Sequence, residues 1–144
     1  MSVGRICTRV VATAAPDEMV REIARRMSEH DVGTLVVVGG PTEAPLGIVT
    51  DRDLVLRCLA TNRDPDQTPL REVMTTPVQA VDEHTPIEQA MTRMAHAGVR
   101  RLVVTGPGGV LAGLLSLDDV LELVVDEVAI IGQLLAKQAP TLAF

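Results

Sequence analysis

The chain repeats itself, and no other property narrows its possible folds as much. Residues 18–38 lie over residues 85–105 at an offset of 67, with Arg26/Arg93, Met27/Met94, Val32/Val99, Leu35/Leu102, Val36/Val103 and Val37/Val104 coinciding. At an offset of 66, Gly47-Ile48-Val49-Thr50 falls on Gly113-Leu114-Leu115-Ser116, and Asp53 falls on Asp119. The one-residue change falls within Gly39-Gly40-Pro41 and Gly106-Pro107-Gly108-Gly109. Those are turns, where a change of length disturbs least.

Each copy passes from a helical period to strands and back. Met19, Val20, Ile23, Ala24 and Met27, and likewise Ile87, Ala90, Met91 and Met94, recur at three- and four-residue spacing. This spacing predicts helices over 17–30 and 85–97, with Asp17 and Thr85-Pro86 expected as their caps. Leu35–Val38 and Leu102–Thr105 follow as β-branched runs, then second strands at Leu46–Thr50 and Val110–Ser116. A second helix is expected from 51–53 to about Leu59, and from 117–119 to about Leu135. The strands are continuously apolar, which implies sheets covered on both faces by helices. A unit of roughly 60 residues holds only a marginal core, so two are expected to pack together. The expected boundaries are one unit over 1–62, a polar proline-bearing linker over 63–72, a second unit over 73–136 and a loose tail over 137–144.

Composition excludes several classes of partner. With a net charge of −6 and a pI near 5.0, the chain lacks the cationic surface by which nucleic-acid binders neutralise phosphates or proteins dock on anionic membranes. One Phe, no Tyr and no Trp leave no aromatic platform for stacking bases. Cys7 and Cys58 stand far apart without a CxxC pattern, as expected of free thiols in a reducing compartment. The opening Met1–Arg5 carries no apolar run, so the expected location is the cytoplasm.

Gly47-Ile48-Val49-Thr50-Asp51-Arg52-Asp53 and Gly113-Leu114-Leu115-Ser116-Leu117-Asp118-Asp119 both resemble the strand-to-helix signature of CBS domains: Gly, two apolar residues, Ser or Thr, two variable residues, Asp. The lead-in Arg71–Val78 with Ile87–Met91 is similar to the family's opening segment. Arg5–Val11 is a weaker version, with Cys7 where Met74 stands. The resemblance spans about Arg5 to Ala136. It implies an α/β (α+β) fold of two β-α-β-β-α CBS units packed by pseudo-two-fold symmetry, a Bateman module similar to small stand-alone bacterial CBS proteins. It also implies an adenosine-containing ligand (AMP, ADP, ATP or S-adenosylmethionine) in the cleft between units, pairing into a homodimer, and an unidentified regulated protein as partner. Adenine would meet backbone at Thr13-Ala14 and Ala80-Val81. The family often has Pro in the central strand, where this chain has Val36 and Val103.

The residues make the same site chemically sensible. A hydroxyl at i and a carboxylate at i+3 straddle a strand end and a first helical turn. Asp53 and Asp119 are acceptors suited to both hydroxyls of a ribose. Thr50 and Ser116 sit where helix N–H groups favour an anion. Arg52, Arg100 and Arg101 are the candidate phosphate partners. Copy one has Gly33-Thr34 where copy two has Arg100-Arg101, so the two clefts are expected to differ in affinity. The same Ser/Thr-x-x-Asp spacing also serves as a simple helix cap, which leaves open a structural or protein-interaction role without nucleotide. No P-loop, Gly-x-Ser-x-Gly or His-Glu-x-x-His pattern occurs, so no catalysis is expected. His30, His84 and His96 with the two cysteines show no metal-ligand spacing. Mg²⁺ is expected only in company with nucleotide phosphates near Asp51, Asp53, Asp118 and Asp119.

Overall fold

The protein is described by a computed structural model over residues 1–139; of the expected tail, residues 140–144 lie outside the described residues. Its elements are β1 (Thr13–Ala14), α1 (Val20–His30), β2 (Thr34–Gly39), β3 (Ala44–Thr50) and α2 (Asp51–Leu54), then β4 (Ala80–Asp82), α3 (Ile87–Ala97), β5 (Arg101–Thr105), β6 (Leu111–Ser116) and α4 (Leu117–Gln138). The order β-α-β-β-α occurs twice. Each half carries a three-stranded sheet, β1-β2-β3 or β4-β5-β6, whose first two strands are parallel and whose last two are antiparallel.

The apolar runs of the central strands have a simple cause. Side chains alternate between faces along a strand. Leu35 and Val37 join the first core, and Leu102 and Val104 the second. Val36 and Val103 point the other way and are fully buried as well. Both faces of each central strand are covered, so no polar alternation survives.

Helices α1 and α3 bury Val20, Ile23 and Met27, and Ile87, Ala90 and Met94, at the expected spacing. Their caps differ from expectation. Met19 and Pro86 occupy the cap positions in place of Asp17 and Thr85, with no side-chain cap bond. Backbone carbonyls from distant segments serve instead. Val20 N–H donates to Thr68 O at 2.9 Å, Arg21 N–H to Pro65 O at 3.0 Å, and Ile87 N–H to Met1 O at 3.1 Å. His30 and His96 lie in the last turns. After α2 the chain continues through a wider five-residue turn, Val55–Leu59.

Those carbonyls show how the halves are joined. Val3 and Cys7 pack with Leu102, Leu115 and Val120 of the second half. Leu70 and Val73 pack with Ile23, Leu35 and Val49 of the first. The copies follow one another along the chain, yet their leading segments are exchanged in space. Residues 63–72 are accordingly more than a tether: Thr68 and Leu70 are buried.

The exchange explains the signature glycines. Thr8 and Leu114 exchange backbone hydrogen bonds, both 2.9 Å, and Ile48 and Thr75 do the same at 3.1 and 2.9 Å. A Cβ on Gly113 would lie 2.8 Å from Cys7 Sγ and from Thr8 O. One on Gly47 would lie 2.9 Å from Met74 Sδ and from Thr75 O. Only glycine admits the crossing segment at this distance. Cys7 and Met74 occupy matching positions, each sulfur lying against the signature glycine of the other copy.

Candidate functional site

At both strand-to-helix corners the hydroxyl and carboxylate close a reciprocal capping box. In the first half, Thr50 N–H donates to Asp53 Oδ2 at 2.9 Å and Asp53 N–H donates to Thr50 Oγ1 at 3.3 Å. In the second, Ser116 N–H and Oγ–H both donate to Asp119 Oδ2, at 2.7 and 2.8 Å, and Asp119 N–H donates to Ser116 Oγ at 3.2 Å. The caps therefore engage one oxygen of each carboxylate. Asp119 Oδ1 has no hydrogen-bond donor among the described residues, whereas Asp53 Oδ1 lies 3.8 Å from Arg57 Nε. Each capping box thus occupies Oδ2 and leaves Oδ1 outside it.

The second-half corner opens onto a cleft between the halves with a cavity of about 250 Å³. Val10, Val11, Ala12, Gly33 and Thr34 line it from the first half, and Arg101, Ser116, Asp118 and Asp119 from the second. Local structure sets this wall. Val36 N–H donates to Ala12 O at 3.0 Å, and at the equivalent position Val103 N–H donates to Gln79 O at 2.9 Å. A proline in the place of either valine would lack that donor. The wall therefore combines backbone with aliphatic side chains on one side. The other side presents a guanidinium, a hydroxyl and carboxylates. Arg101 makes no ion pair among the described residues. Next to the cleft, burial pushes the Cys7 thiol above its ordinary value, Arg9 opposing this.

The family model described as CBS domain matches twice, over residues 3–59 and 70–126. The chain belongs to the CBS family, as a tandem pair. An uncharacterized protein of Methanopyrus kandleri is 37% identical over 122 residues, covering 85% of this chain and 62% of its own length. The present chain thus spans under two thirds of that relative. Among solved structures, a protein with CBS domains from Burkholderia ambifaria superposes with a TM-score of 0.76 at 28% identity, over 99% of this chain and 100% of that one. A CBS domain protein from Pyrobaculum aerophilum complexed with AMP superposes with a TM-score of 0.73 at 26% identity, over 83% and 89%.

Within this CBS pair the expected site residues are partly gathered. Ser116, Asp119 and Arg101 share the cleft. Thr50 and Asp53 form the equivalent corner of the first half. Arg52 is exposed there. Arg100 is exposed and reaches Asp118 only at 4.0 Å; with Arg101, Ser116 and Asp118 it borders a neighbouring hollow of about 280 Å³. Thr13 and Ala14 do not line the cleft. They are committed to β1, with Ala14 in the core and Thr13 O accepting from Arg26 Nη1 at 2.9 Å. Their place at the wall is taken by Val10–Ala12. Ala80 and Val81 line a separate cavity beside α3.

Sequence reasoning missed Thr8, Val10–Ala12, Val32–Gly33 and Leu114 as cleft residues. The signal was the matched lead-in segment. What it lacked was the exchange that carries Thr8 across to Leu114. Among the described residues no group of three or more His, Cys, Asp or Glu is placed to hold a metal, and no helix is long and apolar enough to cross a membrane.

Proposed function

We propose that this CBS pair is a non-catalytic cytoplasmic sensor that takes an adenosine-containing ligand in the inter-unit cleft and reports its occupancy through the packing of the two halves. The observation that carries this reading is the composition of the two facing walls: backbone and aliphatic side chains at Val10–Ala12 and Gly33, and Arg101, Ser116 and Asp119 opposite. An adenine edge suits the first wall. A ribose hydroxyl donates to Asp119 Oδ1, and Arg101 with the α4 N-terminus meets a phosphate. Mg²⁺ enters only with a polyphosphate. The AMP complex of the Pyrobaculum aerophilum relative supports the ligand class. Thr50, Arg52 and Asp53, with Arg100, form the corresponding set for the second cleft by the repeat.

The cavity's 250 Å³ is below the roughly 300–1,000 Å³ of small-molecule sites. A ligand touching both halves favours a parted packing that widens it. That change has an outlet. Leu121, Val124, Val128, Ile131 and Leu135 are exposed on α4 at alternating three- and four-residue spacing, a seam suited to a second copy in a homodimer. Thermal-shift measurement with AMP, ADP, ATP and S-adenosylmethionine tests the sensor reading. A ligand at a hundred times its Kd raises stability by about 2.7 kcal/mol, and Asp119→Ala removes the gain. No shift with any of the four would overturn it. The rival, a ligand-free interaction role, rests on both carboxylates capping their helices. On that reading Asp119→Ala costs only cap-sized stability and changes no ligand response.

A further inference from the structure

The internal repeat permits a comparison of one corner in two versions. In the first half, Arg26 is ion-paired with Glu18. Its Nη1 and Nη2 donate to Glu18 Oε2 and Oε1 at 3.1 and 2.5 Å, and Nη1 also donates to Thr13 O. The Glu18 hydrogen bonds hold the guanidinium above its ordinary pKa, and the charges of Glu22 and Glu29 add to this. At the offset of 67, Arg26 becomes Arg93, while Glu18, Glu22 and Glu29 become Thr85, Gln89 and His96. The cation is kept and all three counter-charges are gone.

What replaces them is space. Arg93, Gln89 and His96, all exposed, with Thr85 and with β4 behind, line an open surface hollow of about 500 Å³. It shares no lining residue with the inter-unit cleft. Arg93 makes no ion pair among the described residues. The one carboxylate on the wall, Asp82, accepts from His84 N–H at 2.8 Å. Thr92 and Thr105 direct their hydroxyls to Glu88 O and Val81 O.

We propose that this hollow is a second ligand site of the CBS pair, specific for a small carboxylate that takes up on Arg93 the bidentate position Glu18 holds on Arg26. A guanidinium fork matches a carboxylate in two parallel hydrogen bonds, and the first half displays that geometry. Gln89, His96 and the Thr85 hydroxyl surround the bound acid with polar groups. The site differs from the inter-unit cleft in lining and in ligand class, and its β4 wall is the Ala80–Val81 segment that the family resemblance implies as an adenine contact.

The test is titration of the ¹⁵N-labelled full chain with glutarate, whose carboxylate and methylene groups mimic a glutamate side chain. Saturable amide shifts are expected at 80–82, 85 and 89–96, with a millimolar Kd. Thr85→Glu restores the internal partner and abolishes the response. Conversely, Glu18→Ala, which frees Arg26, produces a second set of responding amides in α1. Three results would each overturn the proposal: no saturable shift at these amides, an undiminished response in Thr85→Glu, or equal shifts with the neutral diamide of glutarate. Inorganic phosphate shifting the same amides where glutarate does not would also overturn the assignment to carboxylates.

Discussion

Replacing Gly113 by alanine tests the exchanged lead-in at its tightest point. The added Cβ would stand 2.8 Å from both Cys7 Sγ and Thr8 O. The clash leaves two outcomes. Either the core around Cys7 absorbs the overlap, at about 1–3 kcal/mol for an overpacked site, or residues 7–8 retreat. Retreat breaks the two 2.9 Å hydrogen bonds between Thr8 and Leu114, worth about 1 kcal/mol each. Alanine also lowers the entropy of the unfolded chain, which returns about 0.4–1 kcal/mol. The net expectation is a loss of about 1.5 kcal/mol. At about 3 °C per kcal/mol for a chain of this size, Tm falls by about 4 °C in calorimetry. Gly132→Ala is the control: its Cβ meets nothing within 4 Å on an exposed helix, so alanine stabilises by up to about 1 kcal/mol. A Gly113→Ala protein as stable as the parent would refute the crossing of residues 7–8 over β6.

Two further outcomes follow from the same geometry. Glu18 titrates below the ordinary glutamate range, chiefly through its hydrogen bond to Arg26. Its contribution is therefore present above about pH 4.3, the ordinary value, and is lost as pH falls through the lowered folded value. Glu18→Gln should flatten the acid limb of a pH series of denaturation midpoints, and an unchanged limb would count against that pair. On α4, Ile131→Glu with Leu135→Glu should convert a dimer to a monomer in light scattering behind size exclusion; a parent that is already monomeric would remove the seam's assigned partner.

Much of the fold was legible because its causes are local. Val36 and Val103 extend the apolar runs on both faces, and Met27 and Met94 keep the helical period. The repeat alone located both Ser/Thr-x-x-Asp corners. What escaped depended on contacts far apart in sequence. Asp17 and Thr85 have the right chemistry for caps, yet the carbonyls of Thr68 and Met1 arrive at those helix ends by the exchange. Pairing of β1 with β2 in its own half commits Thr13 and Ala14, and Val10–Ala12 just before them line the cleft. The corner at Arg93 is legible only by subtraction: the sequence records the lost glutamates, and the structure shows the space they leave.

The cleft reading is tested most directly by a crystal structure of the protein grown with saturating AMP. It predicts the ribose at Asp119 Oδ1, the adenine edge along Val10–Ala12 and the phosphate near Arg101, with the two halves further apart than in the ligand-free chain. An empty cleft under those conditions, or AMP seated on another surface with the Ser116–Asp119 corner untouched, would contradict it.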